Sequence, residues 1–194
     1  MALALSQPWG VPFTVDDLEG VPDDGHRYEL VDGALLVTPA PNTNHQRVVT
    51  SLVVALVAAA EEGIEVLPAP YDWVVGPGTL FQPDIVVART SDLGPTRLER
   101  APLMVVEVQS LSTRRVDLSL KRSAFEAAGV QAYWLVDPTA PTLTVLALTD
   151  GRYVEEAMVY GEESYTASFP FAVTVVPQDL LGPGGSPPAA APLR

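Results

Sequence analysis

Two short apolar runs, each tipped by a carboxylate, constrain this chain more than any other feature of its sequence. The first is Gln82-Pro83-Asp84-Ile85-Val86-Val87, and the second is Leu103-Met104-Val105-Val106-Glu107-Val108-Gln109-Ser110. Apolar residues at both parities mark strands buried on both faces. A carboxylate set among them needs a partner or a metal, because desolvating an unpaired charge costs several kcal/mol or more. Lys121 follows on a segment with helical spacing. Two such acids and an ammonium outline a divalent-metal site for phosphodiester hydrolysis.

Composition sets limits on that reading. A chain of 194 residues that is 47% hydrophobic has room for one substantial core. The longest candidate for a membrane span, Leu52 to Ala60, is half the length a bilayer requires and is flanked by Thr50-Ser51 and Glu61-Glu62. No basic region precedes an apolar stretch at the amino terminus, so a soluble cytoplasmic protein is expected. The absence of cysteine excludes disulfides and thiolate metal sites, leaving oxygen or imidazole ligands. The net charge of −13 argues against general DNA binding, which draws on a basic face. Six of the eleven Lys and Arg residues nevertheless fall in one window, as Arg97, Arg100, Arg114, Arg115, Lys121 and Arg122, and could build a locally basic cleft.

The order of elements suits a single mixed-sheet α/β domain. Residues 1–25 form an amino-terminal segment in which Thr14 caps one short helix. Arg27–Val31 and Ala34–Val37 flank Asp32-Gly33, a strong hairpin signal. Asn44 is expected to cap a helix from about His45 to Glu62, with Val48, Leu52, Ala55, Leu56 and Ala59 as its buried stripe. One strand, bent at Pro68 and Pro70, is expected from Ile64 to Val75, turning at Gly76-Pro77-Gly78 into the strand that carries Asp84. After an exposed loop from Arg89 to Pro102 comes the Glu107 strand. A helix over Asp117 to Ala128, stopped by Gly129, then leads to a strand over Tyr133 to Asp137. Leu143–Leu148 and Tyr153–Tyr160 read as an antiparallel extension, and 182–194 as a disordered tail beyond a domain over 26–181.

Strand parity orders the candidate site. Leu103, Val105, Glu107 and Gln109 share one face, and Met104, Val106 and Val108 the other. Asp84 and Glu107, arriving from adjacent strands, can share a Mg²⁺ ion (Mn²⁺ being the substitute), with the main-chain carbonyl of Val108 as a further ligand. Without a metal, their mutual repulsion is expected to raise at least one carboxyl pKa. Against this stand plainer roles: an ion pair with an arginine for Glu107, and a turn cap for Asp84. Lys121 lies at helical spacing with Leu118 and Phe125, either snorkelling to water or directing its ammonium at the strand end. Glu29 is a further metal ligand, an orienting group for water, or a surface carboxylate. His45 suits a cap or a phosphate contact. Ser110, Ser112, Thr113, Arg114 and Arg115 connect the Glu107 strand to the Lys121 helix, where hydroxyls and amides serve as caps or meet a substrate phosphate.

These residues together resemble the Uma-two family of restriction endonucleases, within the PD-(D/E)XK nuclease superfamily. The resemblance is carried by Arg27-Tyr28-Glu29-Leu30-Val31-Asp32-Gly33, Pro83-Asp84, Val106-Glu107-Val108 with Ser110, Ser112 and Thr113, then Asp117 and Lys121, and finally Gly129-Val130 and Tyr133–Asp137. It covers roughly residues 13 to 181. It implies a restriction-endonuclease-like α+β core, a central mixed sheet flanked by helices, and metal-dependent cleavage of DNA. Asp84 and Glu107 match the metal-binding acids and Glu29 the amino-terminal acid. Gln109 stands where the superfamily usually has its lysine, and Lys121 resembles that lysine moved onto the helix. Leu111 departs from the proline usual in the family.

The leading expectation is a dimeric, magnesium-dependent endonuclease acting on DNA, with Glu29, Asp84, Glu107, Gln109 and Lys121 as its catalytic set. A catalytically silent binding or regulatory module, which the acidic charge favours, is one alternative. A metal-dependent hydrolase of a small phosphate ester, which needs no basic groove, is the other.

Overall fold

The computed structural model describes residues 10–21, 24–109 and 120–182. The first helix, α1 (Val15–Leu18), is closed by a capping box between Thr14 and Asp17. Strands β1 (Arg27–Val31) and β2 (Ala34–Thr38) form the expected hairpin. Its turn places Asp32 at φ 49° and Gly33 at φ 79°. A side chain at Gly33 would also meet the Cβ of Pro12 at 2.4 Å, so glycine is required twice over.

Helix α2 (Thr43–Ala59) starts and stops earlier than its periodicity suggests. Asn42, not Asn44, is the cap, its side chain accepting from the backbone N–H of His45 at 3.0 Å. The buried stripe is Val48, Val49, Leu52 and Leu56, with His45 at its head.

The strand expected over Ile64 to Val75 is two strands in two different sheets. β3 (Ile64–Pro68) pairs with β6 (Ile85–Arg89), whereas β4 (Asp72–Gly76) pairs with β5 (Thr79–Phe81). Pro68 and Pro70 mark the crossing between sheets rather than a bend within one, since proline cannot sustain a central ladder. The expected loop after Arg89 contains a 3-10 turn at Thr90–Asp92 and the two-residue strand β7 (Arg97–Leu98). Strand β8 (Met104–Val108) carries Glu107, and α3 (Arg122–Ala128) ends at Gly129 in the left-handed region. Then follow β9 (Ala132–Asp137), β10 (Thr142–Thr149), β11 (Arg152–Tyr160), and the short hairpin β12 (Tyr165–Ala167) with β13 (Val173–Val175).

These strands make a five-stranded sheet, β2-β1-β5-β4-β7, and a six-stranded sheet, β11-β10-β9-β8-β6-β3. The larger one is mixed: β8 and β9 run parallel, while β6 and β8 run antiparallel. Strands β10 and β11, the expected extension, continue its edge. Each face has its own core. On one side Ile85, Val87, Met104, Val106 and Val108 pack with Val48, Leu52 and Leu56 of α2. On the other, Val86, Ala88, Val105 and Tyr133 pack with Trp73 and Phe81 of the smaller sheet and with Phe125 of α3. Phe125 lies at the centre of that aromatic group, 5.0 Å from Phe81, 5.4 Å from Trp73 and 5.1 Å from Tyr133 between centroids. None of the helices among the described residues is long and apolar enough to cross a membrane.

Candidate active site

The polar cluster sits where the inner faces of the two sheets meet. Alternation along β6 puts Asp84, directly before the strand, with Val86 and Ala88, and alternation along β8 puts Glu107 with Val105. Ile85 opposes Val106, so continuing that antiparallel register sets Asp84 across from Glu107. The two acids therefore arrive as a cross-strand pair on one face, as parity predicts. Glu29, in β1, shares its face with Val31 and so looks toward the same interface. All three carboxylates are almost wholly buried, at 1% exposure for Glu29 and 2% for Asp84 and Glu107.

Lys121 answers two of them. Its Nζ donates to Glu107 Oε1 at 2.7 Å and lies 3.0 Å from Glu29 Oε1. The ammonium does not snorkel; Lys121 is 2% exposed. It stands at the head of α3, where the helix delivers it to the strand end while Phe125, one turn on, anchors the same helix in the aromatic core. The lysine expected on an apolar stripe is thus a buried cation between two anions. A methionine there would fill the stripe but leave two buried charges without their ammonium.

Asp84 is held differently. Its Oδ1 accepts from Arg27 Nη2 at 2.6 Å, and its Oδ2 lies 3.1 Å from His45 Nε2 and accepts from the Val108 backbone N–H at 2.7 Å. Burial pushes its carboxyl pKa up, but the His45 hydrogen bond, the Arg27 charge and the Val108 N–H outweigh that and bring it down to about 2. The expected rise is absent for Asp84, because the His45 hydrogen bond, the Arg27 charge and the Val108 N–H favour its charged form. Desolvation opposes the Arg27 charge in turn, yet Asp84, Glu107 and Glu29 together raise its pKa above the ordinary arginine value.

Gln82 ties the halves together. Its backbone N–H donates to Glu29 Oε1 at 2.9 Å, its carbonyl accepts from Arg27 Nη1 at 2.8 Å, and its side-chain amide donates to Asp72 at 2.7 Å. Gln109 is buried at the end of β8, its backbone N–H donating to the Val136 carbonyl at 2.7 Å. His45 lies near Asp84 rather than in free solvent; its buried Nδ1 has no hydrogen-bond partner among the described residues. A cleft of about 270 Å³, lined by Arg27, His45, Asp84, Gln82 and the 39–41 segment, opens beside this half of the site.

Arg27 and Gln82 were not singled out by the sequence as site residues. A signal existed for Arg27: it is two residues before Glu29, hence on the same strand face. Ser110, Ser112, Thr113, Arg114 and Arg115, with Leu111 and Asp117, lie outside the described residues. The remaining members of the basic window are each matched by acids rather than gathered into a positive cleft: Arg97 with Glu99, Arg100 with Asp92, and Arg122 with Glu126. Among the described residues, no three His, Asp or Glu side chains form a ready-made metal cage.

The family profile for Uma2, described as "Putative restriction endonuclease", matches residues 15–176. The chain belongs to the Uma2 family. Its fold is also that of a solved crystal structure described as "a putative nuclease belonging to DUF820" from Anabaena variabilis ATCC 29413. The two share 18% identity at a TM-score of 0.69, over 88% of this chain and 98% of that one. At that identity the likeness speaks for the fold alone. No protein of curated function matches the chain. The family match begins inside the segment that the sequence reading set apart from the domain. Residues 13–15 are bonded to the smaller sheet too, through Phe13 N–H to the Gly33 carbonyl in the β1–β2 turn at 2.9 Å and Val15 N–H to the Pro77 carbonyl in the β4–β5 turn at 2.8 Å.

Proposed function

We propose that this Uma2 member is a magnesium-dependent endonuclease that hydrolyses phosphodiester bonds in DNA. The observation that carries the reading is Lys121, buried between Glu107 and Glu29 with Asp84 on the neighbouring strand. A buried ammonium set among acids at a strand end is expensive to build and supplies what phosphoryl transfer needs.

Asp84, Glu107 and the Val108 carbonyl would hold Mg²⁺, or Mn²⁺ in its place. This is an all-oxygen set of the kind magnesium accepts while keeping several waters. The bound ion supplies a lowered water pKa and charge stabilisation for the phosphoryl oxygens. Lys121, held at fixed geometry by two carboxylates, steadies an incoming hydroxide and offsets negative charge as it develops. Glu29 fixes that ammonium from the far side and is itself fixed by the Gln82 N–H. Gln109 closes the end of the strand beside Glu107. A homodimer would set one such site at each strand of a duplex.

The second reading, a silent binding module, draws on the partners Asp84 already has in Arg27 and His45 and on the net charge of −13. Incubating supercoiled plasmid with the protein, with and without Mg²⁺, separates the two. Metal-dependent nicking or linearisation by the wild type, lost in Asp84→Ala, supports the nuclease. Equal and undetectable cleavage by both proteins favours the silent module. Turnover of a small phosphodiester alone, with plasmid untouched, points to the third reading.

A further inference from the structure

Surface helices normally carry charge on the face they turn to water, and α2 does not. Residues 48–60 hold no charged side chain, in a chain whose net charge is −13. The inner stripe of Val48, Leu52 and Leu56 packs into the core of the larger sheet. The opposite side repeats that apolar character in the open: Val54 is 65% exposed and Val57 55%, with Thr50 and Ala58 exposed beside them. At 3.6 residues per turn, Arg47, Thr50, Val54, Val57 and Ala58 form one stripe opposite the buried one. An uncharged, exposed helix face of this kind marks a contact with another molecule.

The two ends of the stripe bear on what that molecule is. Arg47 opens it, and the exposed Glu61 follows directly past the C-cap Ala60. The Arg47 guanidinium donates to the Asn44 side chain at 3.2 Å and has no carboxylate partner among the described residues. Every other described arginine has one: Arg27 with Asp84, Arg89 and Arg100 with Asp92, Arg97 with Glu99, Arg122 and Arg152 with Glu126. Arg47 and Glu61 stand seven residues either side of Val54. A two-fold axis at Val54 therefore sets Arg47 of each copy across from Glu61 of the other, and Thr50 against Ala58. Lipid or nucleic acid would meet a face with a single cation on a strongly acidic protein, which favours neither.

We propose that the outward face of α2 is the contact between two copies of this chain, paired antiparallel about Val54 and closed at each end by an Arg47–Glu61 ion pair. The inference stands apart from the nuclease reading, because it uses none of the acids at the sheet seam. It also goes beyond a bare expectation of a homodimer by naming the surface and its register. The amino end of α2 carries His45 and Gln46 to the cleft, so the same helix would join two clefts in one particle. A single helix pair buries less than the roughly 1,200 Å² of a standard interface, so the dimer should form in the micromolar range.

Sedimentation velocity on the full chain, from nanomolar to high micromolar concentration, should show a reversible monomer–dimer equilibrium. Val54→Glu changes an exposed position, so it should leave the melting temperature of the monomer unchanged. It should weaken the dimer by about thirtyfold or more, the scale of a central hot spot. Arg47→Glu should weaken it by roughly fivefold, and adding Glu61→Arg to that variant should restore it. Because the chain has no cysteine, one introduced thiol reports the geometry directly. Val54→Cys, at the two-fold axis, should oxidise to a covalent dimer. Val37→Cys, on β2 and 51% exposed at the native residue, should not. A protein that stays monomeric at every concentration overturns the inference. So does a dimer that Val54→Glu leaves intact, or one that Val54→Cys fails to cross-link.

Discussion

Asp84 and Glu107 stand opposite one another at the ends of β6 and β8, each 2% exposed, and their charges are answered from opposite directions. Glu107 is answered from inside the protein, by a buried ammonium that it shares with Glu29. Asp84 is answered from the cleft side, by a part-exposed guanidinium, an imidazole and a backbone N–H. Equal burial therefore does not mean equal commitment. The Glu107 half is locked by the packing of α3. The Asp84 half is held by groups that border open volume.

The largest expected effect tests the locked half. Lys121→Met should destabilise the fold by about 3–5 kcal/mol, the usual result of removing one partner from a buried ionic group. Urea melts measure it, and adding Glu107→Gln to the variant should recover part of the loss by removing one stranded charge. A Lys121→Met protein as stable as wild type would erase the contrast between the halves.

Next comes the open half. If cations enter at Asp84, Mg²⁺ at about a hundred times its Kd should stabilise the wild type by about 2.7 kcal/mol, read as a rise in melting temperature that EDTA removes. Asp84→Ala should show no such rise. A magnesium-dependent shift that survives Asp84→Ala would place the ion elsewhere.

The third prediction follows from the Asp84 carboxyl, whose pKa falls from the ordinary aspartate range to about 2 on folding. A group with a depressed folded pKa contributes stability that is complete above its unfolded value, near 4, and is lost as pH falls toward 2. The contribution is about 2 kcal/mol. Melts at pH 6 and at pH 2.5 should show wild type losing more stability than Asp84→Asn. Parallel losses would mean that the Arg27 and His45 contacts do not favour the charged form.

The smallest effect concerns how the open half is positioned. Asn42→Ala removes the side-chain acceptor for the His45 N–H and should cost about 1 kcal/mol, as helix caps do. Its sharper readout is the His45 ring resonance, which should shift if the first turn of α2 frays, while Lys121 and Glu107 stay unaffected.

Local pattern carried much of the architecture. The Asp32-Gly33 hairpin, the stop at Gly129 and the two faces of β8 follow from turn chemistry and alternation, which act over a few residues and leave visible marks. The buried rank of Asp84 and Glu107 was legible for the same reason: acids within double-faced apolar strands have few places to go. Even the direction of Lys121 was one of two readable options, because helical spacing put it on the face of Phe125.

What alternation cannot report is the partner. It shows that Arg27 and Glu29 share a face of β1, but not that Asp84, 57 residues away, supplies the carboxylate for Arg27. Nor does it reveal that the stretch from Ile64 to Val75 crosses from one sheet to another, since both halves have strand-like composition. Propensity allows Asn42 or Asn44 to cap α2, and the entry path of the chain chooses between them. The sequence by itself determined which side chains must be buried and on which face, through periodicities of two and 3.6 residues. The tertiary structure alone decided which buried charges meet, because that depends on two sheets closing over one another across distances no local pattern spans. In this protein that closure brings Glu29, Asp84, Glu107, Lys121 and Arg27 from four separate stretches of chain to one seam, and leaves one side of it open.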